Sequence, residues 1–266
     1  MKIHVTTPQY DNIAKVLKSI NVNYSSFKGK YDCDLLFINC GTADSIDLKL
    51  LNEFVKKGGT VYASDLTSSL MTSSFPSLFT FKGNVGQSRK MKAKVIDDEL
   101  KAIIGETVSV NFDMGGWSVL GSIKSGKIIL ESDNGMPIMV HIPFGKGNIF
   151  YTCFHNHAQA SKKESILLRL LVLKQISQAK SSSIEKVSEA LDINLSDYKK
   201  EFFGSFTNNG IQEKVAEEIN TSSKIEGDSL NTWNKLKNVT KEKETNPKEQ
   251  EEESKKNNSA WNKFKK

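Results

Sequence analysis

The chain has 266 residues, 38% of them apolar, enough for one sizeable core plus a small accessory segment. Lysine and arginine outnumber aspartate and glutamate 37 to 31, but the excess is dispersed, and the densest charge run, Lys241 to Lys256, mixes both signs. It reads as a solvated segment, so nucleic acid is not an expected partner. No run approaches the roughly 18 apolar residues of a membrane helix, and the N-terminus lacks the apolar stretch and cleavage site of a secretory signal, so a cytoplasmic protein is expected.

Taken in chain order, Lys2 to Thr6 alternates as a short strand, and Ile13, Val16, Leu17 and Ile20 repeat at helical spacing over Tyr10 to Ile20. Val22 to Phe27 predicts a second strand. Asp34 to Cys40 is a continuous apolar run closed by Gly41, the pattern of a strand buried on both faces. Ile46 to Val55 predicts a helix that stops at Lys56, Lys57, Gly58 and Gly59, with cations in its last turn and glycine at the stop. Thr60 to Ala63 then gives a fourth strand. Strands alternating with helices point to an α/β fold with a mostly parallel sheet covered on both faces.

From Phe79 to Tyr151 the chain turns β-rich, with strands expected at Met91–Ile96, Thr107–Phe112, Lys127–Glu131, Met136–His141 and Asn148–Thr152. Ser161 to Gln175 predicts a helix with Ser161 as N-cap. The main domain is expected to span residues 1–177. A short helical extension follows over 178–220, where Ile184 to Leu195 is amphipathic and Tyr198, Phe202, Phe203 and Phe206 either continue a hairpin or dock it on the main domain. Residues 221–266 are rich in Ser, Asn, Lys and Glu and are expected to be a disordered tail.

Two segments carry a specific resemblance. After the Gly58-Gly59 stop the strand runs Val61-Tyr62-Ala63-Ser64-Asp65-Leu66-Thr67, and the late strand ends Phe154-His155-Asn156-His157. Their order and spacing resemble the class I glutamine amidotransferases, in which a strand ends in a G-x-C-x-G elbow and a late strand delivers F-H-P-E. The segments Gly58 to Leu70 and Gly135-Met136-Pro137 through Phe144 to Tyr151 look more like the trehalose-utilisation (ThuA-like) branch, and the likeness covers about residues 1–175.

The resemblance implies a flavodoxin-like fold and places Asp65 at the nucleophile position, His155 at the base, and His157 where a glutamate orients that base. It sets Gly41 at an oxyanion-hole position, which reads equally as a strand-ending turn. A carboxylate cannot replace a thiolate as acyl acceptor for glutamine, and Ser64, the neighbouring hydroxyl, has no base directed at it, so glutaminase activity is not expected. Ala63 and Thr67 also stand where a sharp elbow prefers glycine.

Two readings follow. One is a small-molecule or protein binding or scaffolding protein with a degenerate site. The other is a hydrolase acting through Asp65 and His155. No cofactor is required by the sequence, and a divalent metal on Asp65, His155 and His157 is an option. Cys33, Cys40 and Cys153 are odd in number and free of C-x-x-C spacing, as reduced core thiols are, and His4 and His141 lie inside strands as structural residues. The tail repeats W-N-K-Φ-K, where Φ is apolar. Trp233, Lys235 and Leu236 in one copy, and Trp261, Lys263 and Phe264 in the other, are expected to dock on an unidentified protein partner.

Overall fold

A computed structural model describes residues 1–204. Both W-N-K-Φ-K repeats and the expected tail lie outside the described residues.

The first half builds strands from apolar runs and helices from the segments between them. The strands are β1 (Ile3–Val5), β2 (Ser25–Ser26), β3 (Leu35–Ile38) and β4 (Thr60–Ser64), with helices α1 (Ile13–Ser19), α2 (Leu48–Lys56) and α3 (Ser68–Ser74). Every residue of β3 and β4 is buried, as the unbroken apolar run of β3 requires. Asp47 caps α2 by accepting hydrogen bonds from the Lys49 and Leu50 amides. The expected strand at Val22 to Phe27 shrinks to two exposed edge residues, while Val22 and Phe27 turn into the core instead.

The second half is built from β5 (Phe79–Phe81), β6 (Arg89–Val95), β7 (Thr107–Phe112), β8 (Leu120–Ile123), β9 (Lys127–Ser132), β10 (Pro137–Phe144) and β11 (Gly147–Thr152), with helix α4 (Asp98–Ile104) between β6 and β7. Helix α5 (Lys162–Ala179) starts in a capping box: Ser161 Oγ accepts from the Glu164 amide, and the Glu164 carboxylate accepts from the Ser161 amide. Helices α6 (Ile184–Ala190) and α7 (Leu195–Phe203) fold back on the domain, α6 against α5 and α7 against α4 and α5. No helix among the described residues is long and apolar enough to cross a membrane.

Nine strands form one sheet in the order β2-β1-β3-β4-β11-β10-β9-β6-β7, and β5 pairs with β8 apart from it. The pairings from β2 to β11 are parallel and those from β11 to β7 antiparallel. The parallel part has flavodoxin-like order, with β11 in the fifth place. The chain leaves β1 toward one edge through α1 and β3 toward the other through α2. Right-handed crossovers in opposite directions set those helices on opposite faces.

Two features of the β10–β11 hairpin aim the site. Gly145 turns it at φ +61°, and Gly147 lies so close to the Gly59 and Val55 carbonyls that a Cβ would fall 2.0 and 2.4 Å from them. This close approach allows β11 to pair in register with β4, Asn148 opposite Thr60 through Thr152 opposite Ser64. Both strands therefore run out at the same end of the sheet, where β3, with Ile38 opposite Ala63, ends as well.

Candidate functional site

At that end the chain leaves β4 through Asp65, which has φ +44° and opens a 3-10 turn into α3. A positive φ on a non-glycine residue at a strand-to-helix turn is the backbone of a nucleophile elbow. Aspartate is among the residues that tolerate it, so the turn persists although Ala63 and Thr67 replace the expected glycines.

The Asp65 carboxylate does not project into solvent. The residue is 3% exposed; Oδ1 accepts a hydrogen bond from the Ser118 amide at 2.7 Å, and Oδ2 lies 3.0 Å from His155 Nε2. Cys40, which follows β3, places its Sγ 3.3 Å from the same nitrogen and 3.7 Å from Asp65 Oδ2. On the other side of the ring, His155 Nδ1 is 3.1 Å from Asp113 Oδ1. His155 is thus clasped between two carboxylates. Burial opposes its charge, but the hydrogen bonds to Asp65 and Cys40, with the Asp65 charge, outweigh that cost and push the imidazole up to about 11.

His157 is not the group that orients His155. The two rings stack with centroids 5.4 Å apart, and His157 Nε2 bonds instead to Asp113 Oδ2 at 3.1 Å. Asp113, at the end of β7, supplies the carboxylate that the late-strand motif lacks. Nothing in the local sequence marks it, since it stands 42 residues before His155 and meets it only because β7 ends beside the 155–159 segment. Gln159 fixes that meeting by accepting from the Asn111 amide and donating to the Asn111 and His155 carbonyls.

Ser64 is a buried tie. Its hydroxyl donates to Asp11 Oδ2 at 2.9 Å and accepts from the Cys40 amide at 3.1 Å. Asp11, fully enclosed and missed in the sequence, also accepts from the Asn156 amide and side chain and from the Asn12 amide. Burial pushes its carboxyl above the usual range despite these bonds. Gly41 has φ +70°, and a Cβ there would meet the Tyr10 ring at 2.2 Å, so close packing against Tyr10 accounts for this glycine.

Chemically, the corner holds an imidazole with no reachable nucleophile. Cys40 stands beside His155, yet it is 0% exposed and burial pushes its thiol up, which leaves it inert. All three cysteines are free, and burial pushes Cys33 and Cys153 up to about 12. His4 and His141 sit buried in β1 and β10, away from the corner. Two groups of side chains have donor atoms within 4.8 Å of one another: Cys40, Asp65 and His155, which are buried, and Asp113, His155 and His157, of which Asp113 and His157 reach solvent.

No family model matches the sequence, and no curated protein sequence matches it. Solved structures do. A protein described as ThuA-like, from Bacteroides uniformis, superposes with a TM-score of 0.51 at 10% identity, covering 69% of this chain and 94% of that one. A glutamine amidotransferase from Thermotoga maritima gives a TM-score of 0.43 at 10% identity, covering 76% and 95%. At such identity the likeness concerns the fold alone, and the α/β fold is shared with that ThuA-like protein.

Proposed function

We propose that this chain is a non-amidotransferase member of its fold, a binding or scaffolding protein in a reducing, cytoplasmic setting, whose elbow apex has closed into a charge cluster. The observation that carries this reading is the Asp65 carboxylate. It occupies the elbow apex, and its oxygens are committed to the Ser118 amide and the His155 ring. An acyl-transfer nucleophile must be free to approach a carbonyl beside a base able to take its proton. The Asp65 carboxylate is turned inward onto these partners, and His155, raised by its hydrogen bonds to Asp65 and Cys40, is a poor proton acceptor. Free cysteines fit the reducing setting.

Glutamine supplied to the purified chain should yield no more ammonia than it does with a Ser64→Ala, Asp65→Ala double variant. Ammonia release by the wild-type chain above that control would overturn the reading. The hydrolase alternative draws support from one feature, the solvent-reaching edge formed by Asp113 and His157. Chemistry there would use the outer side of the corner and leave Asp65 as a support.

A further inference from the structure

His155 presents one nitrogen to each side of the corner. Nε2 faces the closed interior of Asp65 and Cys40; Nδ1 faces outward to Asp113, which also holds His157. We propose that Asp113, His155 and His157 form a binding site for a divalent transition ion of the zinc class. This rests on the same corner as the proposed function and names what its open side takes up.

Four observations converge. The donor set, two imidazoles and one carboxylate, suits zinc, iron or manganese. Its spacing allows it: His155 Nδ1 stands 3.1 Å from Asp113 Oδ1, His157 Nε2 stands 3.1 Å from Oδ2, and one donor atom from each residue lies within 4.8 Å of the others. Ligands about 2.0–2.1 Å from a tetrahedral ion lie about 3.3 Å from each other, so small side-chain movements complete the set.

The support is of the kind that metal-bound histidines have. The ion displaces the Nδ1 proton that His155 otherwise shares with Asp113, and the remaining Nε2 proton goes to Asp65, itself fixed by the Ser118 amide at 2.7 Å. This is the carboxylate–histidine–metal arrangement that sets tautomer and ring orientation. His157 Nδ1 is 4.0 Å from Asp11 Oδ1, a second carboxylate behind the second imidazole.

Charge and access agree. Asp11, Asp65 and Asp113 gather here, and no lysine or arginine of the described residues pairs with any of them; histidine is the only cationic partner they have. The Asp113 and His157 side chains are 26% and 41% exposed, which leaves coordination positions for water or a ligand. The inner group does not serve, because its carboxylate is saturated and its thiol is shut in.

The test uses the full chain without a histidine tag, titrated with Zn²⁺ by calorimetry and with Co²⁺ by visible absorption. One ion per chain is expected. Asp113→Asn and His157→Ala should abolish the Co²⁺ bands, and because both side chains reach solvent the variants should melt as folded proteins. Asp65→Asn should weaken binding roughly 10–100-fold through the outer shell. Cys33→Ser and His4→Gln, remote from the corner, should leave it unchanged. Absence of binding, or bands that persist in both ligand variants, would overturn the site. Neither result bears on glutamine hydrolysis, whose appearance would instead overturn the proposed function.

Discussion

Two charge clusters in this domain are built on different terms. On α5, Lys174 reaches Asp97, the N-cap of α4, at 2.8 Å and also pairs with Glu99, the Lys174 and Asp97 side chains each being 8% exposed. Burial works against the ammonium, but the two carboxylates outweigh it and hold the lysine above its usual value. That cluster pins two helices with a cation that stays charged. At the sheet end, by contrast, three carboxylates have imidazoles as their only cationic partners among the described residues, and one edge is open. A pin needs a fixed charge and closure. A ligand corner needs donors that can change partner, at the carboxyl ends of the strands, where α/β sheets place their ligands.

The pin should yield the largest effect. Lys174→Met leaves Asp97 buried without its partner and should cost about 3 kcal/mol in urea unfolding at neutral pH. The sign with pH follows from the raised lysine. Its contribution is fully present below the ordinary lysine value of 10.5 and is lost as pH rises through the higher folded value. The gap between wild type and variant should therefore be flat from neutral to about pH 10 and close above it; a gap already closing near neutrality would break the contrast. The smallest effect belongs to the corner's open edge. His157→Ala removes a 41% exposed side chain and should change stability by less than about 0.5 kcal/mol. A loss as large as that of Lys174→Met would make the edge a second pin.

The parallel half was legible because burial on both faces writes continuous apolar runs, as in Leu35–Ile38, and because Val61, Tyr62 and Ala63 mark the next strand after the Gly58-Gly59 stop. Thr107–Phe112 was legible from its strict alternation. Helix α3, Ser68–Ser74, was not, since SSLMTSS has too few apolar residues to show a period and draws its place from the elbow turn before it. Strands β5 and β8 are short and pair only with each other, one of them through Gly121, and left no run to read. In the corner, Asp65 and His155 were legible from motif order. Asp113, Asp11 and Cys40 were not, because each is brought in by a separate strand end. The motif reading set His157 beside His155 as its orienting group; the contact to His155 Nδ1 comes from Asp113, which also bonds His157.

The central claim is that Asp65 at the elbow supports the structure and is not held there for chemistry. Asp65→Asn tests it most directly, since asparagine tolerates the same positive φ and keeps an acceptor for the Ser118 amide while withdrawing the charge that faces His155. Thermal and urea unfolding of the ion-free variant should show a loss of about 2 kcal/mol, as expected when a buried ion pair is broken with one carboxylate, Asp113, still in place. A variant more stable than the wild type would mark Asp65 as a strained, functionally retained group, the pattern of catalytic residues, and would contradict the account.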